Sequence, residues 1–183
     1  MEAGDIERYL TVLGVELKNR GLKKPVRVLL IVGAYMLLLA HATRSTKDID
    51  FFWLDEDGLQ RAYTPLRESV QVITQRHDLD ADWLNYLTQM LMYDEVIVPD
   101  GKLWKSFGPL HVHAPPTEYI LALKITAGRQ KDLDDCAILL SNTQIRTRKR
   151  AQQILDRYIL PRGQQKNAER IENALNRLFG RES

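Results

Sequence analysis

The residues best suited to chemistry lie in Arg44-Ser45-Thr46-Lys47-Asp48-Ile49-Asp50-Phe51. If Asp48 to Trp53 is a strand, side chains two apart share a face. Asp48 and Asp50 then project side by side while Ile49 and Phe51 enter the core. Two carboxylates held that close repel each other unless a cation sits between them, and hard oxygen ligands suit Mg²⁺ or Mn²⁺. Such a metal can clamp a nucleoside triphosphate for in-line displacement. The plain structural alternative is that one Asp faces solvent and the other caps a turn.

Just upstream, Leu29-Leu30-Ile31-Val32-Gly33-Ala34-Tyr35-Met36 reads as a strand, a tight turn and a helix. Gly33 lets a phosphate approach the backbone at a helix N-terminus, whose N–H groups favour an anion. With Arg44 and Thr46 leading into the Asp pair, the arrangement resembles the first motif of the DNA polymerase β-like nucleotidyltransferases. That motif is an apolar strand, a Gly-Gly or Gly-Ser turn, a helix and a strand bearing Asp-x-Asp. Here Ala34 takes the second turn position and supplies no hydroxyl.

A second stretch, Glu118 to Asp135, contains Lys124, Arg129, Asp132 and Asp135. It resembles the Glu-x-x-x-x-x-Lys…Arg-x-x-Asp-x-x-Asp segment of AbiEii-type minimal nucleotidyltransferases, which include bacterial toxin-like members. The two halves together span roughly residues 26–140. The resemblance implies a small mixed nucleotidyltransferase-type sheet flanked by helices, in the α/β (α+β) class. It implies Mg²⁺-dependent transfer of a nucleotidyl group from a nucleoside triphosphate to an acceptor hydroxyl, on an RNA or tRNA end or on a protein. A toxin–antitoxin role with a cognate antitoxin follows from the same likeness. The catalytic set would be Asp48, Asp50, Lys124, Asp132 and Asp135, with Asp48 and Asp50 holding the metal. Gly33, Ala34, Arg44, Thr46, Lys124 and Arg129 would contact the nucleotide. Replacing Lys124 by Met would then weaken triphosphate binding with little change in melting temperature. The structural alternative is a helix pair whose charges cap and pair, with Asp132 as N-cap and Arg129 bonded to Asp132 or Asp135 at the surface.

Two rival classes stay open. The later strand candidate, Leu110-His111-Val112-His113, carries no acid, and with Ala34 this fits a catalytically silent relative that binds RNA or a partner protein. A metal-dependent hydrolase would instead need His111 and His113 beside Asp50. Asp78, Asp80 and Asp82 are spare acids that capping explains equally well. Trp83, Trp104, Tyr86 and Tyr93 could stack on a base or fill the core, and Cys136 reads as a buried thiol.

These residues need elements to position them. Ile6, Tyr9, Leu10, Leu13 and Leu17 have helical spacing, and Gly21 closes that helix. Val26 to Val32 reads as a buried strand, and Ala34 to Ala42 as a short helix. Leu59 to Ile73 is helical, with Pro65 opening a second piece. Asp82 would cap a helix carrying Trp83, Leu84, Leu87 and Leu91. Val96-Ile97-Val98 and Leu110 to His113 are strand candidates. Helices follow from Glu118 to about Ala127 and from about Leu133 to Leu140, and two basic helices separated by Pro161-Arg162-Gly163 finish the chain. The expected organisation is a core over residues 1–142 and a basic helical extension over 143–183.

The 183 residues are 44% hydrophobic and 27% charged, which is globular rather than disordered composition. The apolar run from Val28 to Ala40 is too short to span a bilayer. One cysteine excludes an internal disulfide framework. With no basic-then-apolar leader at the start, a cytoplasmic protein is expected. Net charge is +2, but residues 41–100 balance to −7 and residues 143–183 to +6. The basic stretch, led by Arg146, Arg148, Lys149 and Arg150, suits either a polyanion such as RNA or a solvated helix face.

Overall fold

Ile6, Leu10, Leu13 and Leu17 form one stripe of helix α1 (Ala3–Asn19), and all four are fully withdrawn from solvent. Each contributes roughly 1.5–3 kcal/mol by that burial. The computed structural model describes residues 1–181. It is an α+β protein with a mixed five-stranded sheet flanked by helices and a helical C-terminal part. No helix among the described residues is long and apolar enough to cross a membrane.

The sheet is built from β1 (Val26–Ile31), β2 (Ile49–Trp53), β3 (Leu84–Asn85), β4 (Lys102–Phe107) and β5 (Leu110–Ala114), in the order β3-β2-β1-β5-β4. β1 is central, antiparallel to β2 and parallel to β5. Alternate side chains from three strands, including Val28, Leu30, Ile49, Phe51, Leu110 and Val112, enter one core with α1 and α3 (Gly58–His77). The short helix α2 (Val32–Leu38) follows β1 directly, and α4 (Thr88–Met92) follows β3.

Three local expectations are corrected. α3 runs continuously through Pro65, because Ala62, Leu66, Val70 and Ile73 bury one stripe on both sides of it. Trp83 and Leu84 do not begin a helix: Trp83 is buried just before β3, whose two residues pair with β2. Val96 makes only an isolated bridge to Ile159, and the unexpected strand is β4, an edge strand exposed along most of its length.

The chain forms two compact units. One comprises residues 1–89 and 100–114, the other residues 90–99 and 115–181 of the described chain. This division differs from the expected one at residue 142. The second unit is organised by α5 (Thr117–Ala127), buried without a break from Tyr119 to Thr126, and by α6 (Gln130–Ser141), α7 (Arg148–Tyr158), α8 (Pro161–Lys166) and α9 (Ala168–Phe179). α6, α7 and α9 all pack on α5, so the basic helices belong to the same core as Lys124. Residues 90–99 join this unit through the Val96–Ile159 bridge and the ion pair of Glu95 with Lys166.

Candidate functional site

In the first unit, the Asp pair and the glycine turn meet at one end of the sheet. Asp50 on β2 lies in register with Ile31, the last residue of β1, and α2 starts at the next residue. Ile49, Phe51 and Trp53 fill the core, so Asp50 projects from the opposite sheet face, half-buried. Asp48 stands immediately before β2 and is also half-buried. Thr46 links this strand start to the turn. Its hydroxyl donates to the Asp48 carbonyl at 3.1 Å and lies 3.5 Å from Asp48 Oδ1. A Cβ added at Gly33 would come within 2.5 Å of the same hydroxyl oxygen. Thr46 is itself held through its backbone, accepting from the Met1 amine at 2.6 Å and donating to the Met1 carbonyl at 3.0 Å.

Two residues at this site carry no warning in the sequence. Val32, at the strand–helix junction, has φ +41°, a left-handed conformation that a β-branched side chain resists. Such strain persists only where surrounding structure imposes it, and it concentrates at functional sites. Thr88, the first residue of α4, donates to Asp50 Oδ1 at 3.2 Å across 38 positions of sequence. No spacing rule connects these two residues. Arg44 is half-buried and lines a cleft of about 440 Å³ with Glu2, Leu37 and Thr43. Ala34 is fully buried, so its methyl group serves packing.

The histidines do not join this site. His111 and His113 lie on β5, paired with Arg27 and Leu29 on the far side of β1 from β2. His113 Nδ1 is 3.0 Å from the Gly101 carbonyl. Among the described residues, no three or more His, Cys, Asp or Glu side chains gather as a metal cluster. Asp48 and Asp50 are two residues apart, the first just before β2 and the second on it. Mg²⁺ commonly takes one or two carboxylates and completes its shell with water and substrate phosphates.

In the second unit, Lys124 of α5 meets α6. Its Nζ lies 2.9 Å from Asp132 Oδ1 and 2.8 Å from Asp135 Oδ2, with all three side chains at most 3% exposed. Arg129, the N-cap residue of α6, adds a 2.6 Å bond from Nε to Asp132 Oδ2. Two cations and two anions thus balance. Asp132 sits in the first turn of α6 rather than at its N-cap. Burial pushes its carboxyl up, but the hydrogen bonds and charges of Arg129 and Lys124 outweigh this and hold it below the usual carboxylate range. Cys136, one residue beyond Asp135, is buried, and burial raises its thiol to about 12.

No protein-family model matches this chain, and no curated protein or solved structure matches it significantly.

Proposed function

We propose that the chain is a Mg²⁺-dependent nucleotidyltransferase whose metal-nucleotide site is built from Asp48 and Asp50. The observation that carries this reading is the convergence of the Gly33 turn, Thr46 and the Asp pair at the end of β1. An acceptor hydroxyl, on RNA or on a protein, would attack the α-phosphorus of a nucleoside triphosphate. A new P–O bond forms as the hydroxyl proton passes to solvent, the α–β bridge breaks and pyrophosphate leaves.

The metal, when bound, supplies charge neutralisation on the triphosphate. The chain's own residues do the rest. Asp48 and Asp50 supply hard oxygen donors. Thr88 fixes the Asp50 carboxylate, and Thr46 fixes the approach to Asp48. Gly33 leaves room for the Thr46 side chain, whose hydroxyl lies 2.5 Å from where a Cβ would stand. Lys124 is assigned a different part from the one its spacing implies: its charge is consumed by Asp132 and Asp135, and the network serves to position α5 against α6. A single buried thiol suits a reducing, cytoplasmic setting, where such a protein would act alone or with a cognate antitoxin.

The second reading is a catalytically silent relative that binds RNA or a protein. The buried Ala34 and the balanced Lys124 favour it, since each removes a contact to the triphosphate.

Equilibrium binding of labelled triphosphates, with Mg²⁺ or with chelator, separates the two. Metal-dependent binding that is lost in a folded Asp48→Asn/Asp50→Asn variant supports the enzyme. Equal binding by that variant, or by the wild type in chelator, removes the metal site. Incubation with labelled triphosphate, Mg²⁺ and total RNA or lysate then shows where the label goes.

A further inference from the structure

In the first unit, β3 runs beside the Asp-bearing strand. Leu84 is in register with Ile49, and Asn85 with Asp50. Leu84 enters the same core as Ile49, so Asn85 stands on the opposite sheet face, together with Asp50. Both residues are half-buried. A two-residue strand has little hold of its own, and the segment around it is tied to β2 at further points. Ile49 N donates to the Trp83 carbonyl, Trp53 Nε1 to the Tyr86 carbonyl and Trp53 N to Gln89 Oε1, each at 2.8 Å. The Thr88 hydroxyl lies within reach of two acceptors, Asp50 Oδ1 at 3.2 Å and the Asn85 carbonyl at 3.3 Å.

These bonds fix the backbone around Asn85 and leave its side chain out. Among the described residues, no hydrogen bond or ion pair engages the Asn85 amide. An amide beside a carboxylate on the next strand has an obvious partner, because its N–H groups can donate to the carboxylate oxygens. Here the Thr88 hydroxyl serves Asp50 Oδ1 instead. The amide is therefore open to water or to a ligand. Asp and Asn side chains have the same length. In register on strands about 4.8 Å apart, they carry their oxygens at one height above the sheet. Donors about 2.0–2.1 Å from one Mg²⁺ lie about 3–4 Å from each other, a span that a small lean of either side chain provides.

We propose that the Asn85 side-chain oxygen is a ligand of the cation held at Asp50. The inference rests on the transferase reading, which assigns a metal to Asp48 and Asp50, and adds to it a donor from a neighbouring strand. Asn85 is suited to this by its register with Asp50, by its backbone being pinned to β2 and by its side chain having no other partner. Ligand charge tunes cation affinity. A neutral donor helps to fix the cation's position without adding a third negative charge.

The test is Mn²⁺ uptake by the full chain without nucleotide, followed by the electron paramagnetic resonance signal of the free ion. The wild type should take up Mn²⁺, and Asp48→Asn/Asp50→Asn should not. Asn85→Ala should weaken uptake about tenfold, the low end of the loss when a group that only supports a metal ligand is removed. Asn85→Asp should tighten it, because the added charge attracts the cation. Both single variants should fold, since Thr88 bonds the backbone carbonyl of Asn85 and not its side chain. Should Asn85→Ala fail to fold, Asn85→Asp decides. Wild-type affinity in Asn85→Asp, or in folded Asn85→Ala, overturns the proposal. If Asp48→Asn/Asp50→Asn has lost uptake in the same series, the metal site of the transferase reading stands without Asn85. Uptake that survives in that double variant, or a wild type that takes up no Mn²⁺, removes the metal site and the proposal together.

Discussion

Gly33 lies so close beneath Thr46 that a methyl group on its α-carbon would come within 2.5 Å of the threonine hydroxyl oxygen. The same hydroxyl bonds the Asp48 carbonyl, so the glycine is tied sterically to the start of the Asp-bearing strand.

Gly33→Ala should therefore destabilise the protein by about 1–3 kcal/mol, the usual cost of overpacking. In an open helix the same change stabilises by roughly 0.5–1 kcal/mol. Adding Thr46→Ala removes the obstructing oxygen and should restore most of the loss. Urea denaturation of the two single variants and the double variant measures the coupling, and additivity would show that the contact does not matter.

Lys124→Met should cost about 3–5 kcal/mol, because Asp132 and Asp135 would stay buried without their shared cation. A lysine exposed to a phosphate could be replaced with little change in melting temperature, which is what its spacing alone implies. The triple change Lys124→Met/Asp132→Asn/Asp135→Asn removes the stranded charges and should recover much of the stability. Chemical denaturation of both variants checks this.

The depressed Asp132 carboxyl sets a pH dependence. A group whose pKa is lowered by folding stabilises the protein above its unfolded value, near 3.8, and loses that contribution as pH falls through the folded value. The wild type should thus be more stable than Asp132→Asn at neutral pH. The gap should narrow as pH drops from about 5 through the carboxylate range. Melting curves of both proteins between neutral pH and pH 3 would show the convergence; a constant gap would contradict it.

Much of the fold is legible in the residues. The spacing from Ile6 to Leu17 marks α1 because that helix buries one periodic face, and the β-branched run at Val26 marks β1 because that strand is buried on both faces. β4 is not legible: Lys102, Leu103, Lys105 and Ser106 are exposed on an edge strand, so alternation carries no signal. Pro65 reads as a break by its missing N–H, yet the buried stripe on either side keeps α3 whole. Within the candidate site, alternation places Asp50 on the face opposite Ile49 and Phe51, whereas Asp48 lies one residue before β2 and outside that pattern. The Gly33–Thr46 and Asp50–Thr88 contacts are tertiary, joining residues that no local pattern links. The burial of Lys124 is hidden for a similar reason, since the helices α6, α7 and α9 that pack on α5 all follow it in the sequence.

The way residues 90–99 join the second unit has a consequence for synthesis on the ribosome. Lys166 follows its partner Glu95 by 71 residues. At about 5–20 residues per second, it is added roughly 4–14 s later. For most of that interval Val96, only 6% exposed in the finished fold, lacks Ile159, its later bridge partner. The helical unit therefore closes only after Lys166 has been made. A nascent chain stopped before Lys166 would display this segment to chaperones and proteases.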